Sequence, residues 1–349
     1  MVTASKKKNM YKNPYENQSG TITNESLVSA GFTEQQFNTG IVNINYVSGP
    51  NNGPALVLVP AQMGTWESYT RVLVPLSQHF QVYAIDVRGH GKSSWTPGDY
   101  NWTRIGEDMR AFLEGIVQRP AIISGNSSGG IIAMWCGANL PELTAGVILE
   151  DAPVFSVEMP RFKEQDKFVY KGLEHAVWAL GDLQNRDLAN YFKGQEMPVS
   201  ATRTKRFPDG MVRFISKLIK KEEAANPGKP LELRKWYIPG TLRLLFKSLS
   251  QFDPDFARAF VDGRMYEGLN HAEALQRITC PLLVLHATWH RYPAHGLVGA
   301  MDDADARRIK ELVPHSAYKK IPANHVIHMY KPKEFVAAVE EFAATVRSS

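Results

Sequence analysis

The fold is decided at residues 120–139, which open Pro120-Ala121-Ile122-Ile123-Ser124-Gly125-Asn126-Ser127-Ser128-Gly129-Gly130 and continue small and apolar to Asn139. An unbroken apolar run is what a strand buried on both faces looks like. The glycines then compress a turn, and Gly130–Asn139 has the composition of a buried helix. Strand, tight turn and helix are the context in which G-x-S-x-G carries chemistry. Side chains at Gly125 and Gly129 are expected to collide with neighbouring backbone. The strained turn should push the Ser127 hydroxyl out at the top of a sheet. It should also aim the backbone N–H of Ser128 and the positive helix end at the same point, where they favour a developing oxyanion. A phosphate-binding loop fits less well, because no Lys follows in the required place.

Working outward, Val42, Ile44 and Tyr46 alternate as in a half-buried strand. Ala55–Val59, Gln81–Ile85, Gly146–Leu149 and Pro281–Leu285 are continuous apolar strands, and Tyr318–Ile321 is a weaker one. Between them, Tyr69–His79, Arg104–Val117 and Lys333–Val346 place apolar residues on one face at helical spacing. Strands alternating with helices predict βαβ units and a parallel sheet covered on both sides. Active sites of such sheets lie outside the carboxyl ends of the strands. The alternation stops between about Ala152 and Leu275, a stretch rich in helix formers and aromatics that reads as a helical insertion. It holds 20 basic and 16 acidic residues, so most of the formal charge of +5 lies there. The predicted organisation is an N-terminal arm over 1–36, partly flexible, a core over 37–153 and 277–349, and a cap over 154–276.

The 349 residues can bury a large core. Two cysteines, Cys136 and Cys280, exclude a disulfide framework and a multi-thiolate zinc site. A charge of +5 is mild for this length and gives no reason to expect nucleic acid. No apolar stretch follows Lys6-Lys7-Lys8, and no apolar run approaches the ~20 residues that span a bilayer. A cytoplasmic chain with reduced thiols, no metal, no cofactor and no membrane partner is expected, as a monomer or homodimer.

A serine hydroxyl needs a base to act as a nucleophile at neutral pH. His325 follows the last expected strand, in Ala323-Asn324-His325-Val326-Ile327-His328, which places it at the carboxyl edge; His328 is the reserve.

These residues resemble the α/β-hydrolase superfamily over nearly the whole chain from about residue 37. Gly125–Gly130 resembles its nucleophile elbow. Asp86-Val87-Arg88-Gly89-His90-Gly91-Lys92-Ser93 resembles the D-x-R-G-x-G-x-S segment after the fourth strand. Val59-Pro60-Ala61-Gln62-Met63-Gly64 occupies the place of the His-Gly oxyanion loop, and Ala323–His328 resembles the Gly-His-x-x-His stretch that bears the catalytic histidine. The resemblance implies an eight-stranded, mostly parallel sheet with a helical cap after strand six. It also implies an ester or lactone hydrolase working through Ser127 and His325. Pro60-Ala61 replaces His-Gly, so the N–H of Gln62 is the expected second oxyanion donor beside that of Ser128. The acid departs too. Many members carry an Asp in a short loop after the strand matching Pro281–Leu285, but His286–Pro293 holds no carboxylate. Some lactonases and dehalogenases of the superfamily carry it after strand six, where Glu150-Asp151 stands here. Asp151 is the expected acid, with Asp303 or its neighbours Asp302 and Asp305, and then Glu150, as alternatives. Asp86 and Arg88 read as ties between loops, and Cys136 as buried and inert. Met63, Trp178 and Trp289 are expected to line the substrate pocket. The aromatic cap suggests an apolar or aromatic ester, or a bulky lactone such as zearalenone. A C–C bond hydrolase, a cofactor-free perhydrolase or a non-catalytic ligand-binding member would present the same residues.

Overall fold

In the computed structural model the described residues are 11–18, 20 and 22–346, so Lys6-Lys7-Lys8 lies outside them. One sheet holds eight strands. They are β1 (Thr33–Asn38), β2 (Asn43–Ser48), β3 (Ala55–Val59), β4 (Gln81–Ile85), β5 (Ala121–Asn126), β6 (Thr144–Glu150), β7 (Leu282–His286) and β8 (Ala317–Lys320). Their spatial order is β1-β2-β4-β3-β5-β6-β7-β8. β1 and β2 join antiparallel, and β2 meets β4 antiparallel; every other pair is parallel. The core thus begins at Thr33, four residues before the expected boundary. β1 escaped the sequence reading because five of its six residues, Thr33, Glu34, Gln35, Gln36 and Asn38, are polar.

Every residue of β3, β5 and β7 is buried. Successive side chains leave a strand on opposite faces, and both faces are covered. Val57, Ile123 and Val147 pack with the helices Trp102–Phe112 and Ser128–Asn139. Leu58, Ile122 and Ile148 pack with Thr70–Leu76 and Pro332–Val346. Two covered faces explain why these strands read as continuous apolar runs rather than alternating ones. The register pairs Val59 with Gly125, Asn126 with Glu150, and Glu150 with Leu285. β3, β5, β6 and β7 therefore end level, and the loops that follow them meet at one place.

The cap contains the helices Lys167–Leu180, Asp209–Ala225, Gly240–Ser250 and Pro254–Asp262, with shorter helices on either side. Two of its starts fall where prolines predict them: Pro208 and Pro239 stand immediately before helices, fixing an extended backbone. A small hairpin, Glu196–Pro198 with Thr204–Arg206, was not foreseen. The aromatics of the cap are largely consumed in its own core. Phe192 packs on Phe207 and Phe246, and Phe256 packs on Phe252 and Phe260. Aromatic content in the cap is therefore no guide to the substrate.

The arm departs from expectation as well. Residues 11–18 are packed between core and cap. The Tyr11 hydroxyl donates to Asp253 Oδ1 at 2.6 Å, and Asn13 Nδ2 donates to the carbonyls of Gly91 and Ser93 at 2.9 and 2.6 Å. Glu16 Oε1 accepts from Asn43 and Ser94, and Tyr15 is buried. Polar residues hid this attachment, because it is made by hydrogen bonds rather than by an apolar stripe. No helix among the described residues is long and apolar enough to cross a membrane.

Candidate active site

Ser127 sits between β5 and the helix Ser128–Asn139 with φ 55° and ψ −123°. A non-glycine residue avoids that conformation unless its surroundings impose it. The glycines beside it show how. A Cβ at Gly125 would stand 2.0 Å from the carbonyl oxygen of Gly129, and one at Gly129 would stand 2.2 Å from that of Val59. One at Gly130 would meet Ala152 Cβ at 2.4 Å. The turn is pressed against the end of β3 and the start of the β6 loop, so only glycine fits. The Ser127 N–H donates to the Glu150 carbonyl at 3.0 Å, fixing the turn to β6. Ser128 begins the helix, so its N–H has no intrahelical acceptor.

Asp151 follows β6 in a left-handed conformation, φ 42°. Its N–H donates to Leu285 at 2.7 Å and its Oδ1 accepts from the Ala287 N–H at 3.0 Å, so β7 holds it. Its Oδ2 accepts from His325 Nδ1 at 2.7 Å. The carboxylate is 2% exposed, whereas the His325 ring is 40% exposed. Desolvation acts most strongly on that imidazole and lowers its pKa. The hydrogen bond to Asp151, that residue's charge and the charge of Glu150 together outweigh desolvation and hold the pKa above its usual value. With Nδ1 committed to Asp151, Nε2 is the nitrogen left for chemistry. Ser127 and His325 are joined through Asn126, whose Nδ2 donates to the His325 carbonyl at 2.9 Å and to the Glu150 carbonyl at 3.1 Å. No direct hydrogen bond links Ser127 Oγ to the His325 ring in this structure. The sequence reading missed Asn126, although it is the first variable position of G-x-S-x-G.

The reserve residues also pair, with each other. His328 Nδ1 lies 2.9 and 2.8 Å from the two carboxylate oxygens of Glu150, and the His328 N–H donates to Oε1 at 2.9 Å. Both side chains are buried. Glu150 does not reach His325 and His328 does not reach Asp151, because adjacent residues at a strand end leave on opposite faces.

The acids beyond β7 have other partners. Asp302 caps the helix Asp303–Leu312 by accepting from the N–H groups of Ala304 and Asp305. Asp305 takes Arg161 through two hydrogen bonds, at 2.5 and 2.9 Å. Asp303 accepts from Trp289 Nε1 at 3.0 Å and Lys320 Nζ at 3.1 Å and is half exposed. None is bonded to His325. Trp289 lines a depression of about 440 Å³ with Asp303 and Lys320, and neither Ser127 nor His325 borders it. Trp178 is 60% exposed and leans on His175. The bonds and ring contacts of Trp178 and Trp289 are thus to His175 and Asp303 rather than to Ser127 or His325.

In the loop after β3, Met63 has φ 61° and its N–H donates to His90 Nε2 at 3.1 Å. His90 is buried, which pushes its pKa down to about 4 and keeps it neutral. Its Nδ1 lies 3.1 Å from the Arg88 carbonyl, so Nδ1 donates and Nε2 accepts. The Gly64 N–H goes to Ala61 at 2.8 Å and Pro60 has none. Gln62 Nε2 is buried without a protein partner. Asp86 ties loops together, accepting from Trp66, Lys92 and Asn45, and Arg88 is clamped by Asp108. Both are structural, as read. Burial pushes the Cys136 thiol well above its ordinary pKa.

The sequence profile of the alpha/beta hydrolase family matches residues 56–339, from β3 to the last helix. The chain belongs to that family. It is similar to 3-oxoadipate enol-lactonase 2 of Acinetobacter baylyi, 21% identical over 309 residues, covering 86% of this chain and 92% of the relative. Among solved structures it resembles the enol-lactonase from Burkholderia xenovorans LB400, with TM-score 0.61 and 16% identity over 89% of this chain and all of the other. It also resembles a bacterial membrane phospholipase A, with TM-score 0.62 and 18% identity over 93% and 89% of the two chains. At these identities the structural likenesses carry the fold alone. The alpha/beta hydrolase chain has a hydrolase family's sheet, elbow and cap, and hydrolysis is the activity the family supports.

Proposed function

We propose that this alpha/beta hydrolase cleaves an ester or lactone through an acyl-enzyme on Ser127. The observation that carries the reading is the strained Ser127 turn with a histidine–aspartate pair tied to it through Asn126. His325 Nε2 takes the Ser127 hydroxyl proton as Oγ attacks the carbonyl carbon. The ring has to close the last distance to Oγ when substrate binds, as catalytic hydrogen bonds often do. Asp151 holds the ring in the tautomer that leaves Nε2 free and stabilises the imidazolium that forms. The N–H of Ser128 is one oxyanion donor. In the loop 60–64, Pro60 has no N–H and those of Met63 and Gly64 are engaged, which leaves Ala61 and Gln62, and the register of the loop against the family's oxyanion loop favours Gln62 as the other. Collapse of the tetrahedral intermediate breaks the carbonyl carbon–oxygen bond, and the imidazolium protonates the departing alkoxide. Water, activated by His325, then releases the acid and regenerates Ser127.

A lactone is favoured over an open-chain ester because the relative matched along most of both chains is an enol-lactonase. A bulky lactone such as zearalenone is one candidate of that class. The test is a graded panel of lactones and p-nitrophenyl esters, with fluorophosphonate labelling read by mass spectrometry. Wild type should turn over a lactone and carry the label on Ser127, and Ser127→Ala should do neither. Turnover retained by Ser127→Ala sinks the proposal.

A further inference from the structure

We infer that the buried Glu150–His328 pair is a positioning device for the nucleophile, base and oxyanion loop, an inference that rests on the serine-hydrolase reading. Glu150 and His328 are 0% and 1% exposed, so both have been taken fully out of water. A buried polar pair of this kind adds little net stability compared with apolar residues of the same volume. What distinguishes it is where its contacts lead.

The carboxylate of Glu150 accepts both the backbone N–H and the ring N–H of His328, three residues beyond His325. That anchors the segment bearing the base. The backbone carbonyl of the same Glu150 accepts from the N–H of Ser127 and from Asn126 Nδ2. Asn126 Nδ2 in turn reaches the His325 carbonyl. A face of the His328 ring is stacked on Tyr69, with centroids 3.9 Å apart and planes 23° apart. The Tyr69 hydroxyl donates to the carbonyl of Val59 at 2.9 Å, the last residue of β3 before the oxyanion loop. Burial, and then the Glu150 charge, push the Tyr69 phenol well above its ordinary pKa, so it stays a donor. One acidic residue therefore connects the three loops that must meet at the reacting carbonyl. Its charge also lies on the side of His325 that favours the imidazolium, the form that appears in the transition state. Asp151 touches the base directly, whereas Glu150 acts on it through the segment it holds and through its field.

The test uses the full chain carrying Glu150→Gln, His328→Ala or His328→Asn. Glu150→Gln keeps an acceptor for His328 but loses the charge. Its kcat should fall about tenfold with KM within about twofold, because a loosely placed base costs turnover rather than binding. The acid limb of kcat/KM should move to lower pH. His328→Ala should lose about a hundredfold in kcat. His328→Asn should recover about tenfold of that, since its amide nitrogen stands where Nδ1 stood. Should His328→Ala not fold, the other two variants decide. A second readout needs no turnover: the titration of the His325 ring by NMR, whose midpoint should be lower in Glu150→Gln than in wild type. A failure of the hydrolase reading shows as no fluorophosphonate label on wild-type Ser127, and the NMR midpoint still judges the pair. An unchanged His325 midpoint in Glu150→Gln, with kcat unchanged and only Tm lowered in His328→Ala, overturns the proposal.

Discussion

Glu150-Asp151 at the end of β6 and Asp302-Asp303-Asp305 beyond β7 are both acidic clusters following strands that end at the Ser127 edge, yet they are used in different ways. In the first cluster each carboxylate takes one histidine of the His325–His328 segment. In the second, the carboxylates cap a helix and clamp Arg161, Arg291 and Lys320, and the Arg161 contact binds cap to core. The difference is not one of sequence position, since an acid after either strand can serve a hydrolase triad. It lies in what is left to pair with. Asp302 and Asp305 are taken by guanidinium groups and the helix N-terminus, and Asp303 by Trp289 and Lys320, so none of the three is turned to His325.

Ser127→Ala removes the nucleophile that the first cluster serves and is the largest test. The expected loss in kcat is on the order of 10⁶ with any substrate found, with Tm within a few degrees of wild type. Asp151→Asn leaves the geometry but presents an N–H where His325 Nδ1 must donate. The expected loss in kcat is on the order of 10⁴, measured on the same substrate. A loss below tenfold there, with a large loss in Asp303→Asn, would reverse the comparison. Arg161→Gln leaves the nearly buried Asp305 without its guanidinium and the equally buried Asp166 with Arg291 alone. Its stability should fall by about 3 kcal/mol in denaturant titration. Asp303→Asn alters a half-exposed side chain and should change kcat by less than about twofold, the smallest effect of the four.

Much of the molecule was readable beforehand because burial on both faces writes a strand as an apolar run, and a turn too tight for any Cβ writes itself as glycine. That made β3 to β7 and the elbow legible. The partition of two acids between two histidines was legible only as a set of alternatives, because it depends on which face a strand end turns each side chain toward. The strap at residues 11–18 and β1 were hidden because their attachments are polar. The cap's aromatics misled for the opposite reason: composition counts aromatic rings without saying whether they face a pocket or one another.

The strap has a further consequence. Tyr11 and Tyr100 both donate to Asp253 in the cap, Lys247 of the cap pairs with Glu67 of the core at 2.8 Å, and Arg161 reaches Asp305 on the far side. Insertion and host are therefore fastened at three separated places, although the chain leaves the sheet for more than a hundred residues between β6 and β7. The expectation is that such a molecule unfolds as one cooperative unit rather than two. Heat should melt it in a single transition, with the calorimetric enthalpy equal to the van't Hoff value.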